Sequence, residues 1–179
     1  MRLPIIAATL LAFASPALAQ HAAGHGPAMG ASPYAGFASR EIKAVGPQKI
    51  ADLRAGRGMG MALAAELNGY PGPMHVLEHA AALRLTDTQR TGLERLMAGM
   101  RSDAIAAGER LIAAEQALDR LFAERGATPE AVQDATARIG VAAAAVRSVH
   151  LVTHIATRAL LTDDQVARYD ELRGYRRAG

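Results

Sequence analysis

The chain has 179 residues, half of them apolar but only 4% aromatic, and it contains no cysteine. Disulfides and thiolate chemistry are therefore excluded, and the abundance of alanine points to a thin helical core rather than a sheet sandwich. The formal charge is only +3 and the basic residues are interleaved with acidic ones, a pattern of solvated helix faces that argues against nucleic acid as a partner.

Met1-Arg2, the apolar run from Leu3 to Phe13 and the small residues Ala17-Leu18-Ala19 have the three regions of a secretory signal. Residues 1–19 are thus expected to be cleaved after export. The apolar run is too short to span a bilayer, and no later segment reads as a span. Residues 20–39 are mostly Ala, Gly, Pro, His and Ser without apolar period, which predicts a flexible leader.

Residues 40–73 read as an N-terminal helical segment. Its helix starts at Gly46-Pro47, with Pro at the first helical position, and runs to about Leu67, where Asn68-Gly69-Tyr70-Pro71-Gly72-Pro73 stops it. The middle, Gly56-Arg57-Gly58-Met59-Gly60-Met61, forms helix poorly, since each Gly costs roughly 1 kcal/mol relative to Ala. Either tight packing against another backbone compensates, or this helix is marginal.

A short helix is predicted from about Met74 to Leu83. The pattern Leu-Thr-Asp-x-Gln then occurs at Leu85-Thr86-Asp87-Thr88-Gln89 and again at Leu161-Thr162-Asp163-Asp164-Gln165. In each copy the Thr (Thr86, Thr162) can cap an orphan backbone N–H, while the Gln (Gln89, Gln165) reaches back to the cap residue's own N–H. Beyond the first copy, Leu93, Met97, Met100, Ala104, Ala107, Leu111, Ala114, Leu118 and Leu121 alternate in steps of four and three, a coiled-coil seam. Gly126-Ala127-Thr128-Pro129 breaks the chain, and Val132, Ala135, Ile139, Ala142, Val146, Val149, Thr153, Ala156 and Leu160 repeat the seam in a second arm.

Two such seams joined by a tight turn make an all-α fold: a long antiparallel helical hairpin with flanking shorter helices. A last short helix from Thr162 fades at Arg173-Gly174-Tyr175, and residues 176–179 form a tail. The alanine-rich seam buries little area, so the hairpin needs a further layer, either the preceding helices or a second copy of the chain.

All six histidines fall in His-x-x-x-His pairs: His21 with His25, His75 with His79, and His150 with His154. On a helix this spacing puts both imidazoles on one face, where they can share a metal ion, although single pairs at this spacing also arise by chance on solvated faces. Antiparallel pairing of the seams sets Met97 against Ala156, Met100 against Thr153 and Ala104 against Val149. His150 and His154 then lie at the level of Met100 and Asp103, and His75 and His79 can fold over the same region.

The candidate metal ligands are His75, His79, His150, His154 and Met97. No cofactor is required. Imidazole with thioether suits copper, particularly Cu(I), and imidazole alone suits zinc or nickel. Met97 and Met100 also fit the plainer role of seam residues filling core volume. His21 and His25, with Met29 nearby, fit a polar tail better than an ion site, because a mobile segment loses entropy on ordering. No nucleophile elbow, metalloprotease motif, phosphate loop or dinucleotide fingerprint is present, so no enzymatic activity is expected.

The doubled Leu-Thr-x-x-Gln helix starts around a long hairpin, in an exported all-α chain, resemble the Spy/CpxP family of periplasmic stress proteins, over roughly Met74 to Tyr175. The resemblance implies a periplasmic homodimer of interlocked hairpins whose concave face holds unfolded or misfolded envelope proteins without ATP, and it assigns no client-contacting residue individually. The same arrangement is similar to that of CnrX-type metal sensors and resistance proteins, which carry a His-x-x-x-His pair before the hairpin where His75 and His79 stand. That likeness implies a metal site completed near Met97 and by His150 or His154, with a membrane signalling protein as partner. The carboxylate of those sensors is replaced here by a thioether, which points away from nickel or cobalt. An envelope adaptor for one dedicated protein is a third reading.

Overall fold

Two helices of 37 and 31 residues dominate the computed structural model, which describes residues 32–176. In chain order the helices are α1 (Pro47–Arg54), α2 (Leu63–Glu66), α3 (Pro73–Glu78), α4 (Asp87–Ala123), α5 (Pro129–Ala159) and α6 (Asp163–Leu172). Among the described residues there is no strand, only an isolated bridge between Ile42 and Val45. The signal segment and the leader histidines His21 and His25 lie outside the described residues. A short 3-10 turn, Ala35–Phe37, occupies the end of the predicted leader, and the Arg40 guanidinium sits over the Phe37 ring at 3.3 Å.

The all-α antiparallel hairpin is as predicted. Thr86 starts α4 as a full capping box with Gln89, and Thr128 caps α5 by accepting from the Ala131 N–H, with Pro129 at the first position. The two arms pack on each other, and of the seam positions read from the heptads Leu93, Ala104, Ala107 and Leu111 on α4 and Ala135, Val146 and Thr153 on α5 are buried, whereas Leu160 at the end of the second arm is exposed. The antiparallel sense is fixed at the open end, where Gln89 Nε2 near the start of α4 donates to the Leu160 carbonyl at 2.8 Å.

The further layer required by this thin seam comes from the segment before Leu85. Ile42, Val45, Ile50 and Leu53 cover Ala107, Leu111, Ile112 and Val146 in one cluster. Gly108 allows α1 to lie directly on α4, since a Cβ there would stand 2.7 Å from the Leu53 carbonyl oxygen. A second cluster at the open end joins Val76 and Leu83 to Leu93, Leu161, Val166 and Tyr169.

The single helix expected from Pro47 to about Leu67 is not formed. α1 ends at Arg54, and α2 is one turn long. Between them Gly56 and Gly60 take positive φ, as does Met59 at 47°, an uncommon and costly conformation for a side-chain-bearing residue. Gly56 is pressed against α4, where a Cβ would lie 2.9 Å from the Arg101 carbonyl oxygen. Close backbone approach is therefore what Gly56 serves. The short helix predicted to Leu83 likewise stops at Glu78, and the residues after it turn towards α4.

α5 has the length and apolarity of a membrane span, contrary to the expectation that nothing after the signal would. Its apolar side chains are divided between the seam and an outer face. On that outer face Ala137, Val141, Ala144, Ser148, Val152 and Ile155 are all exposed and recur in steps of four and three. This is a second heptad stripe with no partner among the described residues.

Candidate functional site

Between the two apolar clusters, the broken segment 55–62 crosses the hairpin and walls one side of a cavity of about 1040 Å³ that is open to solvent. Met97 and Met100 of α4, His150 and His154 of α5, Met74 and His75 of α3, and Met59 of the glycine-rich segment all line it. Of the histidines predicted to act together, the structure thus brings His75, His150 and His154 to one cavity with Met97. His79 is not among its lining residues. It caps the end of α3 and meets the Tyr169 ring edge-on at 6.4 Å. Among the described residues no group of three or more His, Asp or Glu side chains converges closely enough to hold an ion by itself.

Each cavity histidine is held differently. His154 Nδ1 lies 2.7 Å from the Tyr70 carbonyl oxygen, which can only accept, so this nitrogen carries the hydrogen and the neutral ring keeps its lone pair on Nε2. Gly72 makes room beside that nitrogen, since a Cβ there would stand 2.9 Å from it. His75 is pinned in the same sense by the Glu78 carboxylate at 3.0 Å, and that hydrogen bond holds the Glu78 carboxyl below the usual carboxylate range. A carbonyl or carboxylate on one ring nitrogen is the arrangement that orients imidazoles whose other nitrogen binds metal.

His150 is 3% exposed, and its Nε2 is buried without a hydrogen-bond partner. Burial lowers its pKa, and the nearby His154 lowers it further. An unfolded histidine titrates near ~6.5, so above that pH His150 is neutral in both states and stability is unaffected. As pH falls through the window between the unfolded value and the lower folded value, only the unfolded chain gains the proton, and stability is lost. Unfolding free energy is therefore expected to fall as pH drops below about 6.5, with a limiting slope of about 1.4 kcal/mol per pH unit for one proton. A His150→Leu variant should flatten that slope, as read by calorimetry across the range.

The wall behind His154 contains the residue that sequence reasoning missed. Glu66, at the end of α2, is 6% exposed. Its Oε2 accepts from the Gly72 N–H at 3.0 Å and faces His154 Nδ1 at 3.6 Å. Its Oε1 accepts from the Tyr169 hydroxyl and, at 3.2 Å, from the Tyr175 hydroxyl, with Arg173 Nε at 3.9 Å. This carboxylate ties the α2–α3 segment to α6 and sets the position of Gly72 beside His154. The only sequence signal for it was an acidic residue on the apolar side of a predicted helix.

Glu66 is not the only unforeseen contact, because the two Leu-Thr-Asp-x-Gln motifs touch each other. Gln89 Nε2 donates to Gln165 Oε1 at 2.8 Å, and Gln165 Nε2 donates to Gln89 Oε1 at 3.1 Å. Each Oε1 also accepts from its own cap N–H at 3.0 Å. Gln165 Nε2 reaches the Leu83 carbonyl as well, at 3.1 Å. The repeated motif is thus a clasp between the two ends of the hairpin as well as a pair of helix starts.

No protein-family model, no curated protein and no solved structure matches this chain.

Proposed function

We propose that this is an exported, periplasmic helical binding protein of Spy/CpxP type that holds partly unfolded envelope proteins without ATP. The observation that carries the reading is the apolar cavity on the side of the hairpin, walled by Met59, Met74, Met97 and Met100. Unbranched, polarizable methionine side chains repack around apolar groups of different shape, which suits clients with no common sequence. The exposed stripe of α5 supplies the surface on which two hairpins pair as a homodimer.

Substoichiometric protein is expected to suppress the aggregation of an unrelated denatured protein in light scattering, without nucleotide or metal. Val152→Asp with Ile155→Asp, both exposed in the single chain, should weaken self-association in sedimentation and reduce that suppression. No suppression at several-fold excess of the native chain would remove the reading.

A second reading, a heavy-metal sensor or resistance protein that signals to a membrane partner, is favoured by a separate observation. His75 and His154 are each fixed through Nδ1 by a carboxylate or carbonyl, leaving the other ring nitrogen as a ligand beside the buried, unpartnered His150. Copper, zinc and nickel are the candidate ions.

A further inference from the structure

The open cavity beside the glycine-rich segment joins an apolar wall to an excess of positive charge. Met59, Leu63 and Met74 line it while remaining 37%, 54% and 50% exposed, so an apolar ligand would remove large side chains from water there. The ionised side chains of the lining are Arg57, Arg101 and Arg173 against one carboxylate, Glu66. That carboxylate is already taken up by the Gly72 N–H and two tyrosine hydroxyls, with Arg173 Nε 3.9 Å away. Arg57 Nε is paired with Asp52 at 2.6 Å. Arg101, exposed on α4, has neither an ion pair nor a side-chain hydrogen bond among the described residues. Gly56 packs on the Arg101 carbonyl, which brings the next residue, Arg57, to the same part of the cavity, and one helical turn back along α4 the wall continues as Met97.

We propose that the cavity binds a single-chain anionic amphiphile, a fatty-acid carboxylate, with its headgroup at Arg101 and Arg57 and its alkyl chain along Met59, Leu63, Met74 and Met97. The proposal rests on the reading of this cavity as the binding part of the molecule and names a small ligand for it. A guanidinium offers a carboxylate two parallel N–H donors, and a partly enclosed apolar wall strengthens such a pair relative to bulk water. The flexible thioethers adapt to alkyl chains of different length. The excess of arginine over free carboxylate selects an anionic head over a cationic one.

The test is isothermal titration of the purified full chain with dodecanoate, held below its micellar concentration, beside octanoate and dodecyltrimethylammonium. One dodecanoate per chain is expected, with octanoate at least severalfold weaker because fewer methylenes are buried, and the cationic chain at least tenfold weaker. Arg101→Gln should weaken dodecanoate roughly tenfold while circular dichroism stays unchanged. Arg110→Gln, the same loss of charge at an exposed position of α4 outside the cavity, should leave the affinity unaltered. Equal binding of the anionic and cationic chains, equal losses in the two arginine variants, or an affinity indifferent to chain length overturns the proposal. So does the absence of dodecanoate binding. If the chain then still suppresses aggregation of a denatured protein, the holdase reading stands without this ligand, whereas dodecanoate binding without suppression removes that reading and keeps the site.

Discussion

Glu66→Leu is expected to destabilise the protein by about 3–5 kcal/mol, the range for removing one partner from a buried charged network. The leucine would leave the Tyr169 hydroxyl, 0% exposed as a residue, without its acceptor, and the Gly72 N–H without its own. Arg173 Nε, buried without a hydrogen-bond partner, would lose the carboxylate 3.9 Å away. Burial, the largest of the causes that push the Tyr169 phenol up, persists in the variant, so the hydroxyl remains a protonated donor without an acceptor. Tyr169→Phe removes one donor and leaves the Gly72 N–H and Tyr175 bonded to the carboxylate, so a smaller loss of about 1–3 kcal/mol is expected. Urea unfolding of the two variants checks the ordering. A loss below about 1 kcal/mol for Glu66→Leu would mean that the carboxylate is hydrated rather than held by these donors. Because Glu66 joins α2 to α6, the same variant should also release the segment that walls the cavity, read as faster amide exchange in residues 55–72.

The second large effect belongs to the glutamine clasp. Gln89→Ala removes the acceptor for the Thr86 N–H and the donor to the Leu160 carbonyl, and it strips Gln165 of its partner. Losing a cap costs about 0.5–2 kcal/mol, and leaving partly buried amide groups unpaired adds about 1–3 kcal/mol, so a total of about 1.5–5 kcal/mol is expected. Gln165→Ala should cost a similar amount for the same reasons. The informative quantity is the double variant. Since each single change already breaks the reciprocal pair, the combined loss should fall short of the sum by about 0.5–3 kcal/mol, as contacting residues do. Additive losses would mean that the two motifs act only as separate helix starts.

The long arms were legible in the sequence because their packing has a period: every third or fourth residue faces the same neighbour, and Thr86, Thr128 and Thr162 mark the helix starts by local chemistry alone. Those same starts carried a meaning that local chemistry could not reveal, since Gln89 and Gln165 are 76 positions apart and meet only once the hairpin closes. The glycine run after Arg54 was correctly marked as a poor helix, and close packing against another backbone was one of the two explanations considered. What could not be read was where it would pack, because the contact of Gly56 with the Arg101 carbonyl and of Gly58 with the His150 ring depends on tertiary placement.

Histidine spacing was informative in part for the same reason. A helical interval of four was expected to present His75 and His79 together, but α3 ends at Glu78, and His79 is turned towards Tyr169 while His75 reaches the cavity. On α5, where the helix is unbroken, the interval held, and His150 and His154 both line the cavity. Met97 and Met100 are partly buried on α4 and form part of the cavity wall.

Light scattering of an unrelated denatured protein in the presence of the full chain is the most direct test of whether this cavity is the working part of the molecule. The native chain is expected to suppress aggregation, and Met59→Ser with Met74→Ser, changes at exposed positions of the cavity wall, to lose most of that suppression while circular dichroism stays unchanged. Equal suppression by the native and variant chains, or none from either, would contradict it.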